Sequence, residues 1–126
     1  GFEIVKSAVD DCSKRITKKF PNFSFRHAYI ENDLYVKNGV CASKFVFPYD
    51  QNRFDFAWAS SVFTHLEPDA VINYLKEARR VIRPGGRFLA TFFLMDPESI
   101  ITSQKSRYPS IVFVWSHQQL RYRQIR

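Results

Sequence analysis

Apolar and polar positions along this chain fall into short blocks whose period changes several times. Phe2, Ile4 and Val5 open the sequence as a buried strand already under way, running directly into a helical pattern. Over residues 7–20 the apolar positions Val9, Cys12, Ile16 and Phe20 step by three, four and four. That spacing puts them on one helical face, with Asp10, Asp11, Lys14, Lys18 and Lys19 toward water. Pro21 ends the helix. Phe23 and Phe25 alternate about Ser24 as a second strand, with residues up to 30 available to extend it. Residues 31–53 keep no period and carry Asn32, Asn38, Gly39, Pro48 and Asn52, so a long loop is predicted, with room for a short strand at 44–47.

The next third is more regular. Residues 54–60 form a short, mainly apolar run that suits the interior of a parallel sheet covered on both faces. Pro68 stands where a first helical turn accepts it, and Val71, Leu75, Ala78 and Ile82 recur at helical spacing, predicting a helix over 68–81. Pro84-Gly85-Gly86 closes that helix, and residues 87–95 are a further apolar strand. Strand, helix, strand, loop, strand, helix, strand is the order of a parallel α/β sheet with right-handed crossovers. Residues 97–110 read as loop and 111–115 as a candidate strand, and the chain ends in a basic stretch with no acid after Glu98.

Composition narrows the class. The 126 residues make one domain's worth of chain, and 45% hydrophobic content with thirteen Phe excludes a disordered polymer. The net charge of +7 owes five of its positive charges to Lys105, Arg107, Arg121, Arg123 and Arg126. Nucleic acid is not the expected partner, since short basic ends are commonly just solvated. Two cysteines, Cys12 and Cys41, fit neither a disulfide framework nor a zinc site, and His27, His65 and His117 have no paired spacing, so no metal is expected. No apolar stretch approaches a membrane span and no signal peptide is visible, which predicts a soluble cytoplasmic protein without membrane contact.

In an open α/β sheet, ligands bind beyond the carboxyl ends of the strands. Glu3 lies at the end of the first strand, where a carboxylate can accept two hydrogen bonds from a ribose diol; a plain surface acid is the alternative. Ser60, Ser61, Thr64 and His65 follow the strand at 54–60 and would line a cleft floor, with His65 able to move a proton; the alternative is an entry turn for the Pro68 helix. Ser60 and Ser61 lack the flanking glycines of a hydrolase nucleophile elbow. The glycines at 85 and 86 precede a strand and so are no phosphate cradle.

The run from Phe54-Asp55 through Ser61-Val62, His65-Leu66 and Arg80-Val81 to Pro84-Gly85-Gly86 resembles the second half of the class I S-adenosylmethionine-dependent methyltransferase domain. The opening Gly1-Phe2-Glu3-Ile4-Val5 looks like that family's second strand, and Phe47-Pro48-Tyr49-Asp50 like its lead-in to the Phe-Asp strand, so the likeness covers residues 1–95. It implies a partial Rossmann-like, doubly wound and mainly parallel α/β sheet, a truncated class I methyltransferase fold. Residues 1–126 would be one partial domain, with a recognisable core at 1–95 and a variable basic region at 96–126. The cofactor implied is S-adenosylmethionine, held by Glu3 at the ribose, Ile4 beside adenine, Ala42 and Ser43 around adenine, and Ser60 and Ser61 along the cleft. His65 is the candidate catalytic base, and the methyl acceptor is a small molecule or another substrate without a readable code.

One departure from the family pattern stands out. The family's first strand and its glycine-rich turn would lie before Gly1, between the strands at 1–5 and 54–60 in the sheet. The expectation is therefore direct pairing of those two strands, a rearranged topology, or a second copy of the chain filling the gap as a homo-oligomer. Rival readings are a non-catalytic, oligomeric remnant that no longer binds cofactor, and another nucleotide-binding α/β protein such as a dehydrogenase.

Overall fold

The computed structural model describes residues 1–32, 34–92, 111–116 and 119–124. The chain divides into two compact units, Gly1–Pro48 and Tyr49–Arg126, each taken by itself below.

In the first unit, β1 (Phe2–Glu3) pairs in parallel with β2 (Arg26–His27), Glu3 standing opposite His27. The helix that follows β1 is shorter than its sequence pattern. α1 spans Lys6–Cys12 and passes into a π-helical turn at Ser13–Thr17, marked by the Lys18 amide reaching back to the Ser13 carbonyl at 3.3 Å. Widening a turn by one residue rotates everything after it by roughly 100°. Val9 is accordingly buried and Ile16 half-buried, while Phe20, predicted on the same face, is 50% exposed.

Ala28 and Ile30 alternate inward beyond β2, and Ile30 makes a parallel bridge to Val40. The stretch predicted as loop supplies a core residue of its own. Asn32 and Val36 close an antiparallel bridge that buries Val36, and Gly39 fits beneath it because a Cβ there would meet Ile30 C at 2.8 Å and Val36 Cγ1 at 2.9 Å. Where a strand at 44–47 was predicted, a 3-10 turn forms at Ala42–Lys44. The residues after it serve packing instead: the Phe45 and Phe47 rings lie 5.5 Å and 4.9 Å from that of Phe2.

In the second unit, β3 (Phe54–Ala59), α2 (Pro68–Val81) and β4 (Ile82–Ala90) form a β–α–β crossover with β3 and β4 parallel. Pro68 opens α2 as predicted. Of the predicted positions Ala78 and Ile82 are buried, Val71 is half-buried and Leu75 is 43% exposed; Ala70, Tyr74 and Val81 complete the buried face. Two alanines on that face let the helix lie close to the strands, a role that an aliphatic count overlooks. Tyr74 packs edge-on against Phe63, which also meets Phe88 and Phe92 at centroid distances of 6.0 Å and 4.8 Å.

Pro84-Gly85-Gly86 does not close the helix. α2 ends at Val81, Ile82 is already extended, and the tripeptide is an excursion within β4: Phe54 pairs Ile82 but Phe56 pairs Arg87. Gly85 turns it with φ of +82°, and Gly86 lies against β3, where a Cβ would meet the Asp55 carbonyl at 2.8 Å. The strand predicted at 87–95 thus starts earlier, and among the described residues it ends at Ala90; residues 93–95 lie outside them.

Among the described residues of the second unit, β3 is covered on one face only. Ala57, Ala59 and Phe88 turn toward the α2 side, whereas Phe56 (51% exposed), Trp58 (73%) and Leu89 (59%) leave the other face bare. Residues 111–116 and 119–124 form an antiparallel hairpin, β5 (Ile111–Ser116) with β6 (Gln119–Gln124), so part of the terminal basic stretch is a strand. The polar stretch at 97–110 lies outside the described residues. Among the described residues the strands make three two-stranded sheets, the two pairs β1–β2 and β3–β4 being parallel, so that direct pairing of β1 with β3 is not seen and the α/β fold is a partial one.

Candidate functional site

Glu3 ends β1, and the chain turns there into α1, whose first amides lack partners within the helix. The Glu3 carboxylate serves that turn: Oε1 accepts from the Ile4 amide at 2.7 Å and the Val5 amide at 2.9 Å. Oε2 takes no hydrogen bond among the described residues, and the side chain is exposed. One oxygen is held by backbone donors and the other faces outward, an arrangement that fixes the acid's direction and leaves an acceptor for a ligand hydroxyl. The half-buried Ile4 is steadied through its own carbonyl, which accepts from His27 Nε2 at 3.1 Å.

Ala42 and Ser43 are half-buried in the 3-10 turn of the same unit. Ser43 Oγ lies 3.1 Å from Cys41 Sγ. This contact, with the Ser43 backbone, holds the exposed Cys41 thiol below the usual range for cysteine.

At the carboxyl end of β3, Ser60 and Ser61 are exposed. Ser61 takes φ of 54°, left-handed backbone that costs an ordinary residue about 1–3 kcal/mol. The turn is secured by the residue after β4, with the Ser61 amide donating to Thr91 Oγ1 at 2.8 Å and the Thr91 amide donating to the Ala59 carbonyl at 3.2 Å. His65 closes the 3-10 turn Phe63–His65, exposed, with its amide bonded to the Val62 carbonyl at 3.0 Å.

The sequence-predicted residues thus fall into two groups, Glu3, Ile4, Ala42 and Ser43 in the first unit and Ser60, Ser61 and His65 in the second. His27 and Thr91 were missed as supporting residues, because a strand partner becomes visible only once the register is known. Among the described residues, no group of three or more His, Cys, Asp or Glu is arranged to hold a metal ion, and no helix is long and apolar enough to cross a membrane.

A family model described as methyltransferase domain matches residues 1–90. No solved structure matches the chain. The strand-end acid, the β–α–β crossover and the turn after β3 all lie inside that matched stretch, and the chain belongs to the class I S-adenosylmethionine-dependent methyltransferase domain family.

Proposed function

We propose that this chain binds S-adenosylmethionine through Glu3 and takes part in transferring its methyl group to an acceptor not yet identified. The observation that carries the reading is the Glu3 carboxylate, with one oxygen held by the Ile4 and Val5 amides and the other open. An ionised carboxylate is acceptor-only and suits the two hydroxyls of a ribose. Ile4 supplies an apolar contact for adenine, with Ala42 and Ser43 as further neighbours. Ser60 and Ser61, after β3, are further cofactor-binding residues in this reading.

When bound, the cofactor supplies a methyl on a cationic sulfur, whose carbon–sulfur bond breaks as the acceptor's lone pair takes the carbon. The protein's work is to align the acceptor and keep water out, which is where most of the rate gain in such transfers arises. His65 accepts the acceptor's proton where one must leave. The Ser61 turn, strained and tied to Thr91, holds its hydroxyl and amide in one orientation.

Calorimetric titration with S-adenosylmethionine and S-adenosylhomocysteine tests the reading. Glu3→Gln keeps an oxygen for the Ile4 and Val5 amides but replaces the outward acceptor with an amide donor. Tenfold or greater weakening with unchanged thermal stability is expected. Equal binding by the Gln variant would remove Glu3 from the site, and no binding by the unaltered chain would favour the non-catalytic remnant.

A further inference from the structure

The second unit holds a groove of about 700 Å³ at the opposite end of the β3–β4 pair from Ser60 and Ser61, beside the last turns of α2 and the Pro84-Gly85-Gly86 excursion. Lys76, Arg79, Arg80 and Arg83 line it, and no acidic residue does. Two of these cations are committed within the fold. Arg80 is bidentate on Glu77 at 2.9 Å and 2.6 Å and donates to the Tyr49 carbonyl at 2.8 Å, and Arg83 pairs with Asp55. Lys76 and Arg79, stacked one turn apart on the helix flank, have no ion pair among the described residues. The exposed Leu75 and the half-buried Phe88, whose ring also meets Phe63, line it as well.

We propose that this groove binds a short segment of single-stranded nucleic acid. Lys76 and Arg79, the two lining cations without an ion pair among the described residues, select a polyanion. Apolar and aromatic surface in the same groove gives flat bases somewhere to lie, the combination by which single strands are held without sequence preference. An acidic peptide would use the charges but not the aromatic lining, and guanidinium groups serve phosphate in both orientation and stacking.

Fluorescence anisotropy of the full chain with labelled hexauridylate, from about 50 to about 200 mM salt, decides the matter. Saturable binding is expected, weakened at least tenfold in the double variant Lys76→Gln, Arg79→Gln. The slope of log affinity against log salt should shrink by about 1.4 for the two lost phosphate contacts. The double variant Arg121→Gln, Arg123→Gln should bind within twofold of the unaltered chain. Unchanged binding by the groove variant, loss confined to the terminal variant, or no binding by the unaltered chain overturns the proposal. So does competition by hexaglutamate or uridine monophosphate at the concentration where unlabelled hexauridylate competes. Circular dichroism of both variants guards against misfolding, and if the groove pair fails to fold, the single variant Lys76→Gln carries the test, with about half the change in slope.

Discussion

Replacing Gly85 and Gly86 one at a time separates two reasons for a glycine that lie side by side in β4. At Gly86 the difficulty is space: an added Cβ would collide with Ile82 Cγ2 and stand 2.8 Å from the Asp55 carbonyl and 3.0 Å from the Arg83 carbonyl. Two of these are backbone atoms that cannot swing aside, so Gly86→Ala must push β4 away from β3, at about 2 kcal/mol or more. At Gly85 nothing lies within 4 Å, and the only obstacle is φ of +82°. An alanine there is strained by about 1–2 kcal/mol, offset in part by about 0.4–1 kcal/mol from a stiffer unfolded chain. Asparagine tolerates left-handed backbone better and should recover some of the loss. Urea unfolding followed by circular dichroism reads the difference. With a slope of about 1.5 kcal/mol per molar, Gly86→Ala should lower the midpoint by more than about 1 M and Gly85→Ala by about half as much or less. A Gly86→Ala protein that unfolds at the wild-type midpoint, or a Gly85→Asn protein weaker than Gly85→Ala, refutes the division of roles.

Three further outcomes follow from the packing. Phe63, 5% exposed and in contact with Tyr74, Phe88 and Phe92, should lose about 3–5 kcal/mol on change to alanine, and a melting temperature within a degree of wild type would show the ring cluster to be incidental. Thr17 Oγ1 is buried without a hydrogen-bond partner among the described residues, so Thr17→Val should raise the unfolding free energy in urea by about 1 kcal/mol, whereas a lower midpoint would reveal a partner for the hydroxyl. Burial pushes the Tyr74 phenol from 10 up to about 12. A raised folded pKa on an acid favours its neutral form, so this contribution is complete below pH 10 and is lost as pH rises toward 12. Tyr74→Phe should flatten that alkaline decline, and an unchanged slope would show that other groups cause it.

Legibility in the sequence followed the strength of local signals. Pro68 and the helical period after it set α2 to the residue, and the run at 54–60 set β3 to within one. On α2 the expected Ala78 and Ile82 are buried, but Ala70 and the Tyr74 ring take the places expected for Val71 and Leu75, because hydrophobic ranking undervalues alanine and tyrosine. A π-helical turn leaves no periodic trace, so Phe20 was placed inward and lies outward. Val36 could not be recognised as core, since its burial comes from a local bridge to Asn32 and not from a strand or helix. The place of Glu3 at the end of β1 was legible from the apolar run in which it stands. The left-handed Ser61 was not, because serine carries no preference for that conformation and its turn is tied to Thr91, the residue after β4.

The bare indole of Trp58 stands two residues before Ser60 and is 73% exposed. It is one of two tryptophans in the chain, so Trp115→Phe would leave a single emitter at the carboxyl end of β3. Its emission wavelength and its accessibility to iodide then report directly on whatever settles near the Ser60-Ser61 turn, with no label attached.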